Sequence, residues 1–163
     1  MNTAQRHASQ CKRQYLGQLP KFWQPKIDAA QALDCKIVHW DLVDRFVTGT
    51  ADAGDMWDWM ETGFTYTQIL RLHHQDGTDF TPEAVAALVE QIEIYASVTA
   101  RYRTTGRVGF SGPELCIARA AAYVMDDLID IDRHGIAVKA AQWAIVQMAR
   151  IRALGGVALG AAA

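Results

Sequence analysis

Apolar side chains recur at three- and four-residue steps along most of the chain, and no clear run of alternating residues competes with that period. Ile27, Ala30, Leu33, Ile37, Trp40, Val43 and Val47 mark one face of a long helix that Gly49 stops. Thr50 or Asp52 then caps a short helix with the face Ala53, Trp57, Met60 and Phe64. Gly63 is expected to interrupt it, and Thr65 or Thr67 to restart a turn or two through Ile69, Leu70 and His73. Gln75-Asp76-Gly77 is the exit.

Thr81-Pro82-Glu83 opens the next helix with a capping hydroxyl, a proline at the first helical position and an early carboxylate. Its face is Val85, Leu88, Val89, Ile92, Tyr95, Thr99 and Tyr102. Gly106, Gly109 and Gly112 make the following stretch a loop. Ser111-Gly112-Pro113-Glu114 has the spacing of a capping box. It starts a helix through Leu115, Ala118, Ala122, Met125 and Ile129 that ends at His134-Gly135. A last helix uses Ile136, Ala140, Trp143, Ala144, Gln147 and Ile151 and stops at Gly155-Gly156. The expected fold is all-α, an irregular bundle of four main helices plus one or two short helices.

Composition adds an uneven charge. Residues 1–26 hold Arg6, Lys12, Arg13, Lys21 and Lys26 and no acid, so the remainder carries −7 to give the net −2. Three parts follow: a basic arm over 1–25, a helical domain over 26–155 and an Ala/Gly tail over 156–163. Half of the 163 residues are apolar, enough for a core without disulfides or metal. Cys11, Cys35 and Cys116 have no CxxC spacing and leave one unpaired, which suits a reducing cytoplasm. No secretory h-region and no run of about 18 apolar residues is present, so no membrane partner is expected.

Candidate chemistry is sparse. Asp126, Asp127, Asp130 and Asp132 form an acidic run, DDxxD within it. Prenyl-transfer enzymes share that motif but need a far larger helical fold. The run also resembles the second half of all-α nucleotide pyrophosphohydrolases. These hold Mg²⁺ between ExxE on one helix and ExxD on another. Glu90 and Glu93 supply ExxE here, and Asp127 and Asp130 a DxxD. The resemblance implies a Mg²⁺-dependent enzyme, although 33 residues separate the pairs and the first acid of the second is Asp. The alternative is a solvated helix face and no cofactor.

His39 beside Asp41, His73-His74 and His134 lack zinc-site spacing. GxSxG, a P-loop and GxGxxG are missing, and Cys116 at a helix start is read as a buried structural thiol. A helix-turn-helix would have to present Glu83, Glu90 and Glu93 to phosphate, which disfavours DNA. Arg101, Arg103 and Arg107, the one internal basic cluster, sit at a helix C-terminus that favours cations anyway.

Trp57 and Trp59 lie two residues apart and point to nearly opposite sides of their helix. Trp57 belongs to the face with Met60 and Phe64; Trp59 and Met56 fall off it, amid Asp52, Asp55, Asp58 and Glu61. A Trp ringed by carboxylates has the make-up of a partner site, so Met56, Trp59, Asp55 and Asp58 are the candidate partner-binding residues. Burial on both sides of the helix is the competing expectation. Phe22-Trp23, between two prolines, is a second candidate docking segment.

RFVTGTADAGDMWDWMETGFTYTQIL and TGRVGFSGPEL, with VMDDL and AAQW, resemble uncharacterised helical accessory proteins of bacterial plasmids and integrative elements. That resemblance implies a small protein that binds other proteins, and assigns no active site. The functional expectation is protein–protein interaction, with another protein or as a homodimer through the acidic Trp face; the alternatives are a Mg²⁺-dependent pyrophosphohydrolase-like enzyme and a DNA-binding accessory protein that uses the basic arm.

Overall fold

The computed structural model describes residues 27–133 and 135–153. The basic arm, Phe22-Trp23, Cys11, His134 and the Ala/Gly tail lie outside them. Within the described residues the chain is all-α: α1 Ala29–Thr48, α2 Ala53–Gln75, α3 Pro82–Thr105, α4 Gly112–Asp130 and α5 Ile136–Ala153. No helix among them is long and apolar enough to cross a membrane.

Local chemistry sets the ends. Asp28 and Asp52 cap α1 and α2, each in a reciprocal box with the residue three positions on. Thr81 accepts from the Ala84 N–H at the start of α3. Gly49 and Gly106 end α1 and α3 in the left-handed region, at φ 72° and 68°, where a side chain would be strained.

Two expectations change. α2 is one continuous helix of 23 residues; Gly63 does not break it. A Cβ at Gly63 would lie 2.8 Å from Gln91 Oε1 and 2.9 Å from Ile92 Cγ1, so glycine is there to let α3 close on α2. And α4 stops at Asp130 instead of running on to His134-Gly135.

α2 is the central element. It touches all four other helices, most extensively α5 and then α3, while α4 bridges α3 to α1. The core divides into two clusters. One gathers Tyr66, Ile69, Leu88, Met125, Leu128 and Ile136; the other gathers Leu42, Phe46, Met56, Trp59, Val98 and Val108.

Candidate interaction surface

α1 packs against the bundle with a different face from the one its strongest apolar spacing marks. Cys35, His39, Leu42, Val43 and Phe46 turn inward. Leu33, Ile37 and Val47, expected in the core, are 58%, 55% and 45% exposed. These three fall with half-buried Trp40 in a second stripe about a third of a turn away. Beside it stands Tyr123 of α4, 64% exposed, its ring edge-to-face with Trp40 at 5.2 Å. Large apolar side chains from two neighbouring helices thus line one side of the molecule.

A polar tie beneath the stripe fixes its tilt. Asp126 accepts from Trp40 Nε1 at 3.0 Å through one oxygen and from His39 Nε2 at 2.9 Å through the other. His39 Nδ1 lies 3.3 Å from Tyr66 Oη. A neutral imidazole with its proton on Nε2 satisfies both contacts, the tyrosine hydroxyl donating to Nδ1. Burial lowers the His39 pKa below its ordinary 6.5, and it outweighs the opposing pull of Asp126. Further along, Lys36 Nζ donates to both oxygens of Asp130 at 2.7 Å.

The acidic run is therefore mostly a set of ties. Asp126 and Asp130 clamp α1. Asp132, 8% exposed, accepts from the Ala137 N–H at 2.9 Å and faces the Ile27 N–H at 3.4 Å. Asp127 is exposed and lines a shallow groove with Phe80, Ala84, Val124, Leu128 and Ile131. Glu90 and Glu93 are exposed on α3. Ala84, the α3 neighbour of Asp127, precedes Glu90 by six residues, about 9 Å along the helix. The two carboxylate pairs are not gathered: no three His, Cys, Asp or Glu form a potential metal-holding group among the described residues.

The Trp59 set is core. Met56 is 0%, Asp55 2% and Trp59 3% exposed. Trp59 Nε1 donates to the Gln91 carbonyl at 3.1 Å, and Gln91 Nε2 donates back to the Trp59 carbonyl at 3.2 Å. The indole packs on Phe46 and Phe110. Asp55 holds its N-cap partner Asp52 and pairs with Arg45 Nη1 at 2.6 Å. Asp58 is half-buried. α2 has neighbours on every side and exposes only Gly54, Arg71, His74 and Gln75 near its ends, so an off-stripe Trp in its middle is packed away.

Other candidates also prove structural. Arg101 donates to both oxygens of Glu114 at 2.8 Å, and Ser97 and the Ser111 N–H donate to the same carboxylate. Burial pushes the Glu114 carboxyl up, but these donors together hold it at about 2. His73 is fully buried, with neither ring nitrogen hydrogen-bonded among the described residues, and burial lowers its pKa. Cys116, expected to be buried, is exposed.

Sequence reasoning missed the Asp126 tie, because its two partners, His39 and Trp40, are 87 and 86 residues distant in the chain. It found the Leu33–Ile37–Trp40–Val47 stripe but assigned it to the core. Compared with protein-family models, curated proteins and solved structures, the chain has no significant match.

Proposed function

We propose that this protein acts by binding another protein through the outer face of α1 and the adjoining edge of α4. The observation that carries it is the exposure of Leu33, Ile37 and Tyr123, each more than half open, around Trp40. Contiguous apolar surface of this kind is costly in water and marks interaction sites. Trp and Tyr are also the side chains that most often anchor interfaces, and here each is held by the other or by Asp126. An interaction role agrees with what the resemblance to mobile-element accessory proteins implies, with the binding face moved from Trp59 to α1.

The test is photo-crosslinking in cells from position 37 of the full chain, with exposed Val146 on α5 as control. A discrete adduct from position 37 that Leu33→Glu removes supports the assignment. Equal adducts from both positions, or none from 37, would end it.

A further inference from the structure

On the premise that this face docks a protein, the spacing and charge of α1 specify what kind of segment it receives. Leu33, Ile37, Trp40, Asp44 and Val47 follow one another at steps of four, three, four and three residues. That is the a/d seam of a coiled coil, which presents a straight line of side chains only to another α-helix. A β-strand or an extended peptide offers no matching period. The seam runs over 15 residues, about 21 Å from first to last, so the complementary helix has roughly four turns.

The seam's own charges are of one sign. Asp44 occupies a core position of the heptad, and Asp34 and Asp41 stand immediately after Leu33 and Trp40, where interhelical ion pairs form. All three are exposed, and none is in an ion pair among the described residues. On the opposite edge Lys36 is neutralised by Asp130. Farther out on α4, exposed Arg119 and Asp127 are of opposite sign and flank Tyr123 at one-turn distance. A second α1 would bring the same three carboxylates to the joint. A helix bearing lysine or arginine at the facing positions would answer them.

We propose that the α1 seam receives a basic amphipathic α-helix from another protein, laid along Leu33–Val47 at a shallow crossing angle with Tyr123 as its lip. The angle expected for this packing is about 20°.

Two synthetic peptides of about three heptads test it, both with leucine at d and at every a position but the one facing Asp44. One carries lysine at e, g and the a position facing Asp44; the other carries glutamate there. Binding to the full chain is followed by fluorescence anisotropy of labelled peptide. The lysine peptide is expected to bind at least tenfold more tightly than the glutamate one in low salt. That gap should narrow in high salt, and Ile37→Glu should abolish binding while leaving the far-UV spectrum unchanged. The doubly reversed Asp41→Lys/Asp44→Lys chain should prefer the glutamate peptide. Equal affinities, or no binding of either peptide, overturn the assignment. So does a dimer in sedimentation that Ile37→Glu dissolves, since the seam then belongs to a second copy. That last result would leave α1 docking itself standing, whereas a blank crosslinking experiment at position 37 would remove it.

Discussion

Trp40 and Tyr123 meet edge to face on the outside of the bundle, their ring planes at 70°. The contact joins α1 to α4 at the point where Asp126 also holds the Trp40 indole. Apolar surface that is merely left over from core packing is not expected to be fixed from both sides.

Removing the tie should loosen that face and cost stability. Asp126→Ala leaves the buried His39 Nε2–H without its acceptor and frees the Trp40 Nε1–H. The expected loss is about 2 kcal/mol in urea unfolding, with a changed Trp emission. Asp127→Ala, three quarters of a turn from Asp130 and exposed, should stay within about 0.5 kcal/mol. Equal effects from the two would show that the tie carries no stability.

Stability should fall as pH drops below neutral. His39 and His73 both have folded pKa values lowered, chiefly by burial, beneath the ordinary 6.5. Between 6.5 and the lower folded values the unfolded chain binds more protons, so stability rises with pH there. The melting temperature should therefore be level above pH 7.5 and decline from about pH 6.5 downward. His73→Leu should flatten part of that decline. It should also hold or raise the unfolding free energy at pH 8, by up to about 1 kcal/mol, because an unpartnered buried imidazole is replaced by an apolar group.

Glu114 governs a lower window. Its folded pKa of about 2, against an ordinary 4.5, gives stability that is present above 4.5 and is lost as pH falls toward 2. Arg101→Ala should cost about 2 kcal/mol at pH 7. That is less than a fully buried pair, because the guanidinium is 34% exposed. It should also shift the acid transition upward, readable by circular dichroism titration.

Gly63→Ala should destabilise although alanine is the better helix former by about 1 kcal/mol. The added methyl would have to displace Gln91, which is clasped to Trp59, and Ile92. Overpacking of this kind costs about 1–3 kcal/mol, so the net expectation is a modest loss. A gain would mean that α3 moves away from α2 freely.

Most helix ends were legible because they are decided within four residues; the end of α4 at Asp130, short of His134-Gly135, was not. Asp52, Thr81, Ser111 and Gly49 act through their own neighbours, whatever the rest of the chain does. Which face of each helix is buried was less legible. α1 has two apolar stripes, and the one with the cleaner heptad spacing is the exposed one. The buried stripe contains His39, a polar residue that periodicity counts against the core. α2 defeats the same logic differently, since a helix enclosed by four others makes Trp57 and Trp59 alike available for packing. The acidic run could not be resolved from sequence because His39, Trp40 and Lys36 reach it across about ninety residues of intervening chain.

That separation has a consequence during synthesis. Trp40 cannot meet Asp126 until 86 more residues have been added, roughly 4–17 s at ordinary elongation rates. For that interval α1 has both stripes bare, the inner one awaiting α4. Exposed apolar surface of this kind is what makes an incomplete chain prone to aggregate, and slowing translation between α1 and α4 should lengthen that exposure.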